Sequence, residues 1–551
     1  MMHQILFLSL LWILMATPAW AVTYWASPSG SDANACSAVD GTSDPGVYRT
    51  LNGARSCMVA GDTLVLKAGT YTSPVGCLPA NSTLRAAVGE AAIIRPNTST
   101  GQCSPGNAAV VVNEISGVTI LGDRYDASQA GALTLDLTNW PNGNGTGVSY
   151  YGTVTSGAIR GIEIMEWGRG TDLLRNAIYV NAATISNIQI THNYIHDGGS
   201  SGADQEHGLY IRGPNFVVEY NHFEDVSAYC IHAYNGSSNT NDGLIVRYNW
   251  FNRCGAYGFL LGSGDNMVGH DNIVSNSGDG ADPAKVYGCW NVAFGSPNGV
   301  NIYNNTCYNN KGRRYRVGTG STNVVARNNI YYLRHASGAL DESSGGFTES
   351  HTLVASSDPF QNAVGNNFSL AGAGGASDGV DDGTTTPYRS CIGTCDLGAL
   401  ESPTFASCSV EDGDATRVRV LFNTVGGAMQ GSVAGDWAAV VAGAGATETA
   451  VTPVGTTRAD ITLSASVTNG QTVTIAYTRG TLTDTSNRGN SLHAFVRSFT
   501  AQSCANNVGA APAVIYIQIA SGWYEFYGDE AAGAIVLGCG GDGTSPAQSR
   551  N

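Results

Sequence analysis

Ile-Gln-Ile-Thr-His-Asn-Tyr-Ile-His (188–196), Val-Val-Glu-Tyr-Asn-His-Phe-Glu (217–224) and Ile-Val-Arg-Tyr-Asn-Trp-Phe-Asn (245–252) are one phrase written three times. Weaker copies surround Asn272, Asn305 and Asn329. The aligned asparagines Asn193, Asn221, Asn249, Asn272, Asn305 and Asn329 step by 28, 28, 23, 33 and 24 residues. A repeat of this length, made of short alternating strands without a helical period, predicts stacked β-coils. No coil can bury its apolar face alone, so the coils must stack into an all-β solenoid. The asparagine column reads as structural: Asn tolerates a left-handed turn, and stacked amides can hydrogen-bond along the solenoid.

A second set of strands lies between the asparagine phrases: Ile178-Tyr-Val180, Gly208-Leu-Tyr-Ile-Arg212, Cys230-Ile-His-Ala-Tyr234 and Gly258-Phe-Leu-Leu-Gly262. Strand alternation sends Ile178, Leu209, Ile231 and Phe259 inward, with Val180, Ile211, Ala233 and Leu261 beside them. The opposite face then carries Tyr179, Tyr210, Arg212, His232 and Tyr234 on adjacent coils. Aromatic faces can stack on sugar rings, and Arg can grip a carboxylate through two parallel N–H bonds. The preceding loop adds Asp204, Glu206 and His207 to the edge of this face, while His196-Asp197 and Glu224-Asp225 follow the asparagine strands. Turn lengths decide which acidic group lies nearer the aromatic face.

With 71 glycines among 551 residues and only 13% charged residues, the chain fits neither a helical bundle nor a disordered polymer. A net charge of −16 excludes nucleic acid as the expected partner, but a local basic cleft can still hold an anion. The run Ile5 to Met15 with Ala19-Trp-Ala21 reads as a cleaved export leader over 1–21, with no membrane span elsewhere. Export makes disulfides the expected state of many of the 13 cysteines. The plausible pairs are Cys36/Cys57, Cys77/Cys103, Cys230/Cys254, Cys289/Cys307, Cys391/Cys395 and Cys408/Cys504, with Cys539 left over. A secreted or cell-surface monomer is expected.

The opening Tyr24-Trp-Ala-Ser-Pro-Ser-Gly-Ser-Asp32, a short helix over Leu51–Met58 capped by Thr50, and the strand in 61–71 resemble the start of secreted right-handed parallel β-helix proteins. That superfamily includes pectate-lyase-like polysaccharide lyases. The ending Cys395-Asp-Leu-Gly-Ala-Leu-Glu401 resembles that of choice-of-anchor Q proteins, which implies a solenoid over 22–401. Residues 404–508, with alternating strands and the turn Thr481–Asn490, are similar to bacterial Ig-like repeats, implying a β-sandwich. The tail 509–551 stays unassigned.

The resemblance implies an acidic, uronate-containing polysaccharide as partner and β-elimination as the leading activity. In that reaction a base removes the proton α to a carboxylate while positive charge steadies the enolate. The candidate catalytic residues are His232, Tyr210, Arg212, His207 and Glu206. Tyr179, Tyr234, Tyr257 and Lys285 are the candidate substrate-binding residues. The resemblance equally implies a Ca²⁺ version, for which Asp204, Glu206, Glu224 and Asp225 are the available oxygen ligands, and Lys285 or the Arg313–Arg316 run the cations. Glycoside hydrolysis by Glu206 with Glu224 or Asp225, uronate C5-epimerisation, and a non-catalytic adhesin or glycan binder are the alternatives.

Overall fold

The computed structural model describes residues 21–36, 47–99, 107–126, 128–170, 175–200, 205–236, 240–280, 287–333 and 346–363, and chiefly the course of strands thereafter. Residues 1–20, Cys103, Asp204, Lys285, Cys391, Cys395, Cys504 and Cys539 therefore lie outside the described residues. Two compact units divide the chain: 1–363 with 370–400, and 364–369 with 401–551.

The first unit is a parallel β-helix. Its strands form a 12-stranded, an 11-stranded and an 8-stranded sheet, and from Ala108 to Leu333 every coil adds one strand to each in turn. We call these the first, second and third sheets. One coil runs Ile188–Thr191, Tyr194–Gly198 and Leu209–Ile211, and Val217–Glu219 begins the next. Pairing is in register from coil to coil, so the asparagine phrases lie directly above one another: Gln189 faces Val217, and Val217 faces Ile245. The stretch 61–71, which reads as a single strand, is in fact two, Thr63–Leu66 on the first sheet and Gly69–Tyr71 on the second. The helix is shorter than the sequence suggests, Leu51–Arg55, but Thr50 caps it, its hydroxyl accepting the Gly53 N–H at 3.0 Å. Cys57, just past its end, is tied to Cys36.

Period-two alternation fills the interior. Ile164, Ile195, Phe223, Phe251 and Val274 stack in one column inside the second sheet, all fully buried. Burial of a large aliphatic or aromatic side chain contributes roughly 1.5–3 kcal/mol, which is why these columns set the register. Cross-links Cys230–Cys254 and Cys289–Cys307 join the second and third sheets, as the spacing suggested.

The corner between the first and second sheets corrects one expectation. The left-handed residues are not the ladder asparagines but their predecessors: His192, Tyr220, Tyr248, Asp271, Asn304 and Asn328, with φ between 54° and 58°. This leaves each following asparagine pointing inward, where its amide bonds to the next. Asn193 Nδ2 donates to Asn221 Oδ1 at 2.9 Å, Asn221 Nδ2 to Asn249 Oδ1 at 3.0 Å, and the chain continues through Asn272 and Asn305 to Asn329. A buried amide needs all its partners, and the ladder supplies them at every coil.

Among the described residues the second unit contains two larger antiparallel sheets and the two-stranded pair Met429–Gln430 with Thr483–Asp484. One orders Thr404–Glu411, Asp414–Asn423, Arg458–Leu463 and Glu448–Val454; the other orders Trp437–Val441, Thr472–Tyr477 and Phe495–Thr500. Residues 513–536 add a three-stranded antiparallel sheet in the tail. No helix among the described residues is long and apolar enough to cross a membrane.

Candidate active site on the third sheet

The third sheet carries the arrangement that alternation requires. Ile178, Val180, Leu209, Ile211, Ile231, Ala233, Phe259 and Leu261 all point inward and are fully buried. Outward, the register aligns Tyr179, Tyr210, His232, Leu260, Asn291 and Arg316 in one column. Arg212 and Tyr234 extend the second and third rungs by two residues, the next outward position.

Contacts on this face are close. The Arg212 Nη2–H donates to the Tyr210 hydroxyl at 3.1 Å, and its guanidinium lies 4.8 Å from the Tyr210 ring centre. His232 sits 5.1 Å from Tyr210 and 5.4 Å from Tyr234, ring centre to ring centre. Tyr179 adjoins Tyr210 at 5.8 Å and donates its hydroxyl to Asn181 Oδ1. Burial raises the Tyr179 hydroxyl above its usual pKa, and Arg212 pulls against that rise.

A second row of rings stands at the strand entries. The Gly208 N–H donates to the Tyr229 carbonyl and the Cys230 N–H to the Tyr257 carbonyl, so His207, Tyr229 and Tyr257 step up the solenoid one per coil. A side chain at Gly208 would lie 2.6 Å from the Cys230 carbonyl oxygen, so glycine is required there. The His207 ring stacks on His232 at 4.2 Å, and its Nδ1 accepts the Tyr229 N–H at 3.3 Å.

Both imidazoles are held neutral. Burial, then the charge of Arg212, brings His232 down to a pKa of about 3; burial, then His232, brings His207 well below 6.5. His232 is half-buried, and protein atoms crowd it closely enough to disfavour a charge. Its buried Nδ1 has no hydrogen-bond partner. These shifts fix a sign. A histidine whose folded pKa lies below its unfolded value of 6.5 binds its proton more readily when unfolded, so it destabilises the fold as pH falls below 6.5. His192 and His222 are shifted the same way, and His196 is shifted the other way. The thermal midpoint is expected to fall between pH 7 and 5, and His232→Gln to flatten that fall; a midpoint that rises on acidification contradicts these shifts.

Several expected site residues are placed differently. Glu206 is fully buried, with its carboxylate accepting the N–H and hydroxyl of Ser200, and His207 is nearly so. Neither can touch a polymer in this conformation; His207 stacks on Tyr210 and His232 and positions them. Tyr257 is buried too, packed 5.9 Å from Tyr229 and 5.7 Å from Tyr287, so it props the row and offers no surface. Glu224 and Asp225 belong to the second sheet and its end, not to the aromatic face. Arg253 holds both, at 2.7 Å and 2.6 Å, and the Tyr194 hydroxyl donates to Glu224 at 2.6 Å. Of the expected Ca²⁺ ligands, the three described ones do not converge: Glu206 is enclosed, Glu224 and Asp225 are ion-paired, and among the described residues no three His, Cys, Asp or Glu side chains gather in one place. The same facts leave Glu206 and Glu224 unsuited to flank a glycosidic bond.

The second sheet has its own polar surface. His196 bridges Glu163 at 3.1 Å and Asp197 at 2.7 Å, and His222 lies flat on Trp250 at 4.3 Å. A groove of about 1020 Å³ runs along its far edge past Arg169, Asp197, Asp225, Arg253 and Asp279. These side chains largely neutralise one another.

Sequence reasoning missed Tyr229 and Phe294. The signal for Tyr229 was present: an aromatic ring precedes the small residue opening four successive third-sheet strands, in His207-Gly208, Tyr229-Cys230, Tyr257-Gly258 and Tyr287-Gly288. Phe294 stands alone after its strand, and no pattern marks it.

Residues 142–298 match the family model described as a right handed beta helix region, which spans the coils bearing this face. No curated protein matches the chain. Among solved structures, the chain is similar to a rhamnogalacturonan lyase, at 15% identity over 62% of this chain and 91% of that one, with a TM-score of 0.35. It is similar to an alginate lyase from Paenibacillus sp., at 14% identity over 60% of this chain and 99% of that one, TM-score 0.30. The N-terminal part of the bacterial S-layer protein SbsC is 19% identical over 24% of this chain, TM-score 0.17, and the match spans only 32% of that protein. Likeness at this level concerns the course of the backbone, so chemistry has to be argued from the residues above.

Proposed function

We propose that the protein cleaves a uronate-containing polysaccharide by β-elimination on the outer face of the third sheet. One observation carries this reading: a guanidinium bonded to a phenol, Arg212 to Tyr210 at 3.1 Å, beside a neutral, half-buried histidine whose ring lies 5.1 Å from that phenol. A surface made only for binding sugars needs the rings but not that juxtaposition.

Arg212 receives the uronate carboxylate and steadies the charge that moves onto it as the α-proton leaves. With Nδ1, the enclosed nitrogen, protonated, His232 presents the lone pair on Nε2 to take that proton. The free imidazole is a weak base, and a bound carboxylate beside it raises its basicity by opposing the effect of Arg212. The electron pair of the broken C5–H bond forms the C4–C5 double bond, and the C4–O glycosidic bond breaks. The Tyr210 hydroxyl gives the leaving oxygen its proton and recovers one from His232. Water is neither consumed nor released. Tyr179 and Tyr234 supply ring faces on either side.

Three disulfides among the described residues support an extracellular or cell-surface setting, where such bonds persist. The test is incubation of the full chain with alginate, pectate and glycosaminoglycans while following unsaturated-uronate absorbance, with and without chelator. Absorbance must grow on one of them, and because Glu206, Glu224 and Asp225 do not converge, it is expected to survive the chelator. Loss of activity on chelation restores the metal-dependent version; no absorbance on any substrate rejects elimination on these polymers.

A further inference from the structure

Phe294, beside the third sheet, is an aromatic residue both exposed, at 40%, and held in a left-handed backbone, at φ 67°. Bulky side chains rarely adopt that conformation, and it persists only where surrounding structure imposes it. Here the Ser263 N–H donates to the Phe294 carbonyl at 2.8 Å, which anchors the turn. One coil earlier the same position holds Ser263, and asparagine takes this conformation at Asn276, Asn304, Asn309 and Asn328, while Tyr220 and Tyr248 take it at another corner. A phenylalanine kept in water, in a conformation that suits asparagine, is poorly explained by stability.

Its neighbours supply a reason. The Phe294 ring meets Tyr234 edge-on at 5.3 Å, and Tyr234 adjoins His232. The Arg316 guanidinium lies 5.5 Å from the Phe294 ring centre. Ring contacts thus run without a break from Tyr179 through Tyr210, His232 and Tyr234 to Phe294. An arginine lies over a ring at two places on this path, Arg212 on Tyr210 and Arg316 on Phe294. Arg316 is four strands beyond Tyr210 in the register, roughly 19 Å at the usual strand spacing.

We propose that Phe294 and Arg316 form a second subsite, which takes a further uronate of the same polymer several sugars from the one held by Arg212. The ring stacks on the sugar and the guanidinium receives its carboxylate. The polysaccharide then lies along the solenoid axis. The subsite rests on the elimination reading and extends it: the protein must prefer long chains to short ones.

The experiment compares Phe294→Asn and Arg316→Gln with the unmodified full chain on the polymer that it cleaves and on a uronate trisaccharide from that polymer. Thermal midpoints are recorded alongside. Each variant is expected to raise KM for the polymer about tenfold, the effect of losing one aromatic or cationic anchor. KM for the trisaccharide should not change, and Phe294→Asn should keep or raise the thermal midpoint because asparagine suits the left-handed turn. Unchanged KM on the polymer overturns the subsite while leaving the elimination reading intact. Equal losses on polymer and trisaccharide, or a fallen midpoint in Phe294→Asn, show a structural role and overturn it as well. If the unmodified protein neither binds nor cleaves any acidic polymer, both readings fall together.

Discussion

Replacing Tyr210 with phenylalanine is expected to lower kcat on the cleaved polymer by about 10²–10⁴-fold, the usual range for removing a general acid, with KM little changed. The substitution keeps the ring, and so keeps the contacts to Tyr179, His207 and His232 at 5.8, 5.7 and 5.1 Å. What it deletes is the hydroxyl that accepts from Arg212 and would protonate the leaving oxygen. Binding to the polymer should survive, and so should the thermal midpoint, since this hydroxyl lies on a half-exposed face. A variant that loses affinity and rate together would place Tyr210 in recognition alone. One that retains full rate would move the chemistry to another residue.

The largest effect on stability is expected at the ladder. Asn249 is fully buried; its Nδ2 donates to Val218 O, Arg247 O and Asn272 Oδ1, and its Oδ1 accepts both the backbone N–H and the Nδ2 of Asn221. Alanine there strands polar groups on three successive coils. Each buried unsatisfied group costs about 1–3 kcal/mol, so Asn249→Ala is expected to cost about 4 kcal/mol or more. Urea unfolding followed by circular dichroism measures it. Because coils depend on their neighbours, the loss should also broaden the transition as the array splits at the mutated coil. A cost below about 1 kcal/mol would mean that the amides find other partners, and the ladder would be incidental.

Much of this was legible before any coordinates. The recurring asparagine fixed the coil length, and strand alternation then separated Ile178, Leu209 and Ile231 from Tyr179, Tyr210 and His232. That division depends only on period-two geometry, which the register obeys. The corner was half legible. Stacked amides follow from the repeat, but the left-handed turn falls one residue earlier because the ladder side chain must point inward. Three-dimensional placement of the acidic groups was not legible. Whether Glu224 or Glu206 adjoins the aromatic face depends on loop path, and the path buries Glu206 and gives Glu224 to Arg253. Tyr257 misled for a related reason: an aromatic beside a site looks like a contact residue until its neighbours are seen to cover it.

The most direct test of the account is the fate of water in the reaction. The full chain is incubated with its acidic polymer in heavy-oxygen water, and the products are analysed by mass spectrometry. Elimination moves a proton and an electron pair within the substrate, so each cut should yield one unsaturated end with no label incorporated during cleavage. A heavy oxygen incorporated at every new end, with no double bond, would show hydrolysis and contradict the roles given to Tyr210, Arg212 and His232.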